Sequence, residues 1–185
     1  TTRLYRTAVD SGTAPAPNDP HRLDALQTFT RGSGPGFFPG VDHQRLVEGR
    51  SCDHRGLFLG ELRAVERARD GKRTWLVIDK LACELARGDG LLVEGGLASE
   101  GELGGRVWLI EDVKSGKDLE HAGEGACVRV WLGPDVNVSG ARARRRVHKT
   151  SSPRVLARIR ESMSLGARSS SHDGVEKQAI ALRIA

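Results

Sequence analysis

Short apolar runs separated by polar, glycine-containing breaks fill the middle of the chain. Between Arg55 and Val93 they read R-G-L-F-L-G-E-L, K-R-T-W-L-V-I-D and A-R-G-D-G-L-L-V, and R-V-W-L-I and V-R-V-W-L follow further on. Runs of this length, bounded by Gly and Asp, are typical of strands in a small antiparallel barrel. The pattern predicts a mainly β fold, a small six-stranded antiparallel barrel with short flanking helices. The predicted strands are Gly56–Val65, Thr74–Asp79, Gly90–Glu94, Arg106–Asp112, Cys127–Leu132 and Arg142–His148.

Two turns and one row of cations follow from this assignment. Gly104-Gly105 predicts a hairpin turn, and residues 121–125 predict another. Alternation along the last strand would place Arg142, Arg144 and Arg146 on one face, where they could pair across strands or bind phosphates.

The segments around the barrel predict a modular organisation. Residues 1–18 are a helix tail and linker, and residues 19–50 a short helix followed by a Gly/Pro-rich loop. Asp19-Pro20 is a helix cap, and Leu23 and Leu26 are expected on the buried side of a helix ending near Phe29. Residues 51–150 are the barrel. Residues 151–166 are a helix that Gly166 ends, and residues 167–185 are a loop and the start of a truncated strand or module.

Charge is distributed unevenly along the chain, whose net charge is +5. Seven Arg and one Lys lie between Arg142 and Arg160 without an acidic residue, whereas Glu94 to Glu124 contains eight acidic residues and three basic ones. The two regions could face each other, or the basic one could bind an anion such as RNA. The candidate RNA- or anion-binding residues are Arg142, Arg144, Arg145, Arg146, His148, Lys149, Arg154 and Arg158.

No catalytic or metal-binding constellation stands out. The three cysteines are far apart without a C-x-x-C pair, so we expect no metal and no cofactor in this chain. Cys52-Asp53-His54 is better explained as a polar turn than as a catalytic pair. No apolar stretch approaches the roughly 20 residues that span a bilayer, and no signal peptide is visible. We therefore expect a cytoplasmic protein without a membrane partner.

The order of the motifs resembles that of peptidase family U32, the collagenase-like peptidases, in the region after the catalytic domain. The resemblance covers Leu4 to about Met163. It rests on L-Y-R-T-A-V-D, F-T-R-G-S-G-P-G-F-F-P-G, R-G-L-F-L-G-E-L, R-G-D-G-L-L-V and R-R-V-H-K-T-S-S-P-R-V-L. The motif residues, interpreted as structural, are Arg31, Gly32, Gly36, Phe37, Arg55, Gly56, Gly60, Gly88, Asp89 and Gly90.

The resemblance implies a bacterial parent enzyme that is a protease or is needed for hydroxylating tRNA, ribosomal RNA or a quinone precursor. It also implies a barrel similar to the second domain of translation elongation factors. In hydroxylation-linked members, four cysteines of the catalytic domain hold an iron–sulfur cluster. The chain is then a non-catalytic accessory part of a longer polypeptide, whose partners are the missing catalytic domain and RNA. Two alternatives stay open: a peptide- or collagen-binding module of a protease, and a purely structural domain whose arginines pair with the acidic stretch.

Overall fold

A computed structural model describes residues 2–27, 40, 55–68, 71–95 and 101–169. The chain forms two compact units, Thr1–Pro153 and Arg154–Ala185. Helices are α1 (Thr2–Ser11), α2 (Pro20–Gln27) and α3 (Pro153–Ser169). Strands are β1 (Leu57–Arg67), β2 (Thr74–Asp79), β3 (Leu85–Ala86), β4 (Gly90–Val93), β5 (Leu103–Arg106), β6 (Leu109–Asp112), β7 (Asp118–Leu119), β8 (His121–Ala122), β9 (Val128–Trp131) and β10 (Arg146–Ser151).

The strands pair antiparallel throughout the described ranges. The main sheet has the order β5-β4-β10-β1-β2-β9-β6-β7, and β3 and β8 form a second, two-stranded sheet. The register of β1 shifts between Phe58 and Gly60 against β10, and between Leu62 and Ala64 against β2. Irregularities of this kind bend a strand and increase its twist. The long strand β1 therefore curves while it pairs with a neighbour on each side.

The mainly β class is confirmed, but the predicted number of six strands is wrong. The main sheet has eight strands in the part of the chain that the structure describes. One reason is the segment 103–112, which was predicted to begin its strand at Arg106. It contributes β5, which pairs with β4, and β6, which pairs with β9. Val107 and Trp108 lie between the two strands, and the short β7 then pairs with β6.

Gly104-Gly105 is not a hairpin turn but part of β5, paired with Leu92 and Leu91 of β4. A Cβ atom on Gly105 would lie 2.9 Å from Val136 Cγ2 and 3.3 Å from Leu132 Cβ. The glycine is therefore explained by close packing inside a strand, which a sequence pattern cannot distinguish from turn chemistry.

The core fills the inside of the curved sheet. Every second residue of β4 and β9 is buried, as expected when one face of a strand packs inward, whereas β2 and β10 bury consecutive residues. Leu59, Leu76, Ile78, Ile110 and Val130 are fully buried. Leu23 and Leu26 of α2 pack against this core, as predicted.

Gly56 brings the chain into β1 through a conformation that other residues rarely adopt. Its φ is +75°, and a Cβ atom there would lie only 2.0 Å from the backbone oxygen of Lys149. The sequence marked Gly56 as the start of a strand, and the close approach of β10 gives the physical reason.

The helix boundaries follow the predicted signals only at their N-terminal ends. Asp19 Oδ1 accepts hydrogen bonds from the backbone N–H of His21 (2.8 Å) and Arg22 (3.1 Å), which confirms the cap of α2. The predicted end at Phe29 lies outside the described residues. In the second unit, α3 continues through Gly166 to Ser169 rather than ending at the glycine. Across the described ranges, no helix is long and apolar enough to cross a membrane.

Candidate nucleic-acid interface

The arginine turn, residues 142–146, leads from Ala141 into β10. The predicted strand over Arg142–His148 is wrong in its first half, because residues 143–144 form a turn and β10 begins only at Arg146. Arg144 has φ +65°, outside the extended region. Its backbone N–H donates to Leu62 O (2.6 Å), and Leu62 N–H donates to Arg145 O (2.8 Å). The expected row on one strand face is therefore replaced by a turn fastened to β1.

The turn presents cations to solvent. Arg142, Arg144 and Arg146 are exposed, and Arg145 is partly buried. The Arg146 guanidinium lies over the ring of Phe58, 5.4 Å from its centroid, and Phe58 is itself 42% exposed. Arginine stacked in this way keeps its N–H donors for an anion.

Four acidic residues of the stretch that could have neutralised the turn have other basic partners. Glu94 and Glu102 both bind the guanidinium of Arg55, at 2.7 and 2.8 Å. Further along, Asp118 and Glu120 both bind Arg87. Within the described ranges, neither Arg142 nor Arg144 makes an ion pair with this stretch.

His148, an expected anion ligand, faces inward. Its side chain is buried, its Nε2 lies 2.8 Å from Glu94 Oε1, and its ring meets Phe58 edge to face at 5.9 Å. Burial lowers the pKa of His148 and outweighs the opposing effect of Glu94. A neutral ring then donates from Nε2 to the carboxylate, which leaves Nδ1 as an unprotonated lone pair. The structure thus assigns His148 a packing role that the sequence did not predict.

Lys149, the next expected ligand, is also turned into the structure. Its Nζ donates to Glu84 O at 2.7 Å and lies 3.7 Å from Asp89 Oδ2. Asp89, only 1% exposed, also accepts a hydrogen bond from the Ala86 N–H at 2.9 Å. A phosphate could reach Lys149 only by displacing these internal partners. Arg154 and Arg158 belong to the second unit.

The motif residues that the structure describes have structural surroundings. Arg55 holds the two glutamates, and Asp89 is the buried partner of Lys149. A Cβ atom on Gly90 would lie 2.5 Å from Ser151 Oγ, so β4 and β10 approach closely there. Gly56, Gly60, Gly88, Asp89 and Gly90 all lie in or beside paired strands. Arg31, Gly32, Gly36 and Phe37 lie outside the described residues.

Sequence reasoning missed a cleft beside Trp131. Its volume is about 430 Å³, and its walls comprise Val65, Lys72, Thr74, Trp131, Leu132, Gly133, Pro134, Val136, Asn137, Val138, Ser139 and Ala141. The Arg73 guanidinium lies 5.8 Å from the centroid of the Trp131 ring. Trp108, 53% exposed, meets Trp131 edge to face at 5.7 Å. The sequence pattern placed both tryptophans in strands but did not predict that Trp131 lines a cleft.

The other candidate chemistry is sparse. In the described part of the chain, no three or more His, Cys, Asp and Glu side chains are grouped so that they could hold a metal ion. Burial raises the pKa of the Cys83 thiol, so a smaller fraction of it is present as the reactive thiolate. Cys52, Asp53 and His54 lie outside the described residues.

The fold and the turn define an antiparallel β domain with an exposed basic turn and an adjoining aromatic cleft. Among known proteins, no family model and no curated sequence matches the chain. A solved structure, the C-terminal domain of a proposed U32 peptidase from Geobacillus thermoleovorans, is similar over 51% of this chain and 93% of its own. The identity is 12% and the TM-score 0.39, values too low to establish a shared fold.

Proposed function

We propose that the chain is a non-catalytic accessory domain of an enzyme resembling the U32 peptidases, and that it positions RNA for a catalytic domain of the same polypeptide. The observation that carries the proposal is the arginine turn. It presents three exposed guanidinium groups, and Glu94, whose backbone N–H donates to Arg146 O, is already bound by Arg55. The order of motifs from Leu4 to Met163 supports the family assignment.

We also infer that the main sheet closes into a barrel. The segment 103–112 would be the closing strand, because β5 pairs with β4 and β6 pairs with β9. Two backbone hydrogen bonds support continuity at the junction. Val107 N–H donates to Asp89 O and Trp108 N–H to Trp131 O, each at 2.9 Å. A closed barrel gives the arginine turn a rigid support, which limits the entropy lost when it binds.

Phosphate recognition is the chemistry that the turn suits best. Arginine presents several N–H donors in a planar fork that fits phosphate oxygens. Contacts of this kind fix register and orientation on a nucleic acid without reading sequence. We therefore expect RNA binding that depends weakly on sequence and falls steeply with salt.

The test measures the affinity of the chain for total tRNA and ribosomal RNA across a salt series. The variant combines Arg142→Gln with Arg144→Asn, because asparagine tolerates the positive φ of that position. Its matched control is Lys114→Gln with Lys117→Gln, which removes the same charge from an exposed turn between β6 and β7.

The turn variant should bind more weakly, and the slope of log K against log salt should fall by about one for each phosphate that the protein no longer neutralises. The control should retain the slope. Equal weakening in both variants would show that net charge, and not the arginine turn, determines binding. No binding by the unaltered chain would reject the RNA role.

A further inference from the structure

We infer that the cleft beside Trp131 binds an unpaired nucleobase of the RNA whose phosphates the arginine turn contacts. This inference rests on the proposed function and adds a second contact to it. Its consequence is a preference for single-stranded over duplex RNA, because bases in a duplex remain stacked on each other.

The chemistry of the cleft wall suits a base. Trp131 provides an aromatic surface, and Thr74, Asn137 and Ser139 provide groups that can donate and accept hydrogen bonds. The Ser139 N–H donates to Asn137 Oδ1 at 3.0 Å, which holds this part of the wall in a turn. The volume, about 430 Å³, lies within the range of roughly 300–1,000 Å³ that is usual for small-molecule sites.

The position of the cleft favours RNA over other occupants. Ala141 belongs to its wall and directly precedes Arg142, the first residue of the arginine turn. Strand β1 also links the cleft to the arginine turn. Its Val65 lines the cleft, and its Leu62 forms backbone hydrogen bonds with the turn. A chain bound by its phosphates at the turn would thus pass the mouth of the cleft.

Charge points the same way. The wall contains Lys72 and no acidic side chain. The guanidinium of Arg73 lies over Trp131 and adds a second planar group beside the ring. A ring beside cations is the arrangement that proteins use to bind single strands without regard to sequence.

The experiment compares a single-stranded oligoadenylate with an RNA duplex of equal phosphate number. All binding is measured in a Trp108→Phe background, so that fluorescence reports on Trp131 and on Trp75, which is only 6% exposed. The first test variant is Ser139→Leu, which narrows the cleft from an exposed position without removing a core group. A second pair, Trp131→Phe and Trp131→Leu, distinguishes the effect of an aromatic ring from that of side-chain volume. Thermal unfolding verifies that each variant folds.

The inference predicts that the single strand quenches Trp131 fluorescence and binds more tightly than the duplex. Ser139→Leu and Trp131→Leu should weaken single-strand binding about tenfold, within the range measured for removal of one stacked base, and should leave duplex binding unchanged. Trp131→Phe should restore most of the affinity. In contrast, the Arg142→Gln, Arg144→Asn variant should weaken binding of both ligands.

Three results would overturn the inference. If Ser139→Leu and Trp131→Leu bind the single strand as tightly as the background protein, the cleft is not a base site, although the arginine turn can still bind RNA. If a collagen-like peptide quenches Trp131 and RNA does not, the occupant is a peptide. If the arginine variant leaves both RNA affinities unchanged, the proposed function fails as well.

Discussion

Replacing Lys149 with methionine tests the strongest departure from the sequence-based expectation. The sequence grouped Lys149 with the anion ligands, whereas its ammonium group lies 2.7 Å from Glu84 O and 3.7 Å from Asp89 Oδ2. Lys149 is 7% exposed and Asp89 1% exposed. The substitution should therefore destabilise the fold rather than remove a bound ligand.

The magnitude follows from what the substitution leaves behind. Methionine retains most of the aliphatic packing but leaves the Asp89 carboxylate buried without its cation. Breaking a buried pair from one side costs about 3–5 kcal/mol, because the remaining charge stays desolvated. Asp89 still accepts the Ala86 N–H, so we expect a loss of about 3 kcal/mol in the free energy of unfolding. Since domains are stable by only about 5–15 kcal/mol, this loss is easily measured.

The assay is equilibrium unfolding in urea, followed by tryptophan fluorescence. Lys117→Met is the control, because Lys117 is exposed in a turn, and it should change the free energy by less than about 0.5 kcal/mol. Adding Asp89→Asn to Lys149→Met should cost less than the sum of the single changes, since the double variant buries neither charge. A loss below about 1 kcal/mol for Lys149→Met, or strict additivity, would refute the assignment of a buried pair.

Further predictions concern one glycine, one histidine and one cysteine. Gly56→Ala should lower the free energy of unfolding by well over the roughly 1 kcal/mol that an alanine in the left-handed region costs, because its Cβ would lie 2.0 Å from Lys149 O. The control is Gly116→Ala, where φ is +66° and the surrounding space is open. Equal urea midpoints for the two variants would contradict the prediction. Burial lowers the pKa of His148 in the folded protein, whereas in the unfolded chain it stays near the usual value of about 6.5. At a pH below about 6.5 the unfolded chain therefore binds more protons than the folded protein. Stability should therefore fall as pH drops below about 6.5 and level off below the lowered pKa, and His148→Gln should flatten this part of the pH profile of urea midpoints. The raised pKa and burial of Cys83 predict slow alkylation in the folded protein, measured by mass spectrometry, and labelling as fast as in urea would argue against both.

The local signals in the sequence were sufficient for much of the secondary structure. A continuous apolar run between polar residues marked the full extent of β2, and Asp19 marked the start of α2. These features depend on neighbours along the chain. The double glycine in β5 was assigned wrongly because Gly105 packs closely against Leu132 and Val136, and the turn at Arg144 because its backbone bonds Leu62; these partners are distant in sequence.

In the candidate site, too, the sequence predicted the features that depend on neighbouring residues but not those that depend on distant ones. The run of arginines is visible in the sequence, and three of them are indeed exposed around the turn. The burial of the next two candidate residues could not be foreseen. His148 and Lys149 meet Glu94 and Asp89, which lie more than fifty residues earlier in the chain. The cleft was invisible for a similar reason, since its wall joins β1, β2, β9 and the loop before Arg142.

The sequence alone determined the mainly β class, the positions of the apolar strands and the concentration of positive charge between Arg142 and Arg160. It could do so because period, composition and charge are properties of neighbouring residues. Tertiary structure alone decided the pairing order, the burial of His148 and Lys149, and the meeting of the arginine turn with an aromatic cleft. Each of these depends on which distant strands become neighbours, and sheet pairing, unlike helix formation, is not local in sequence.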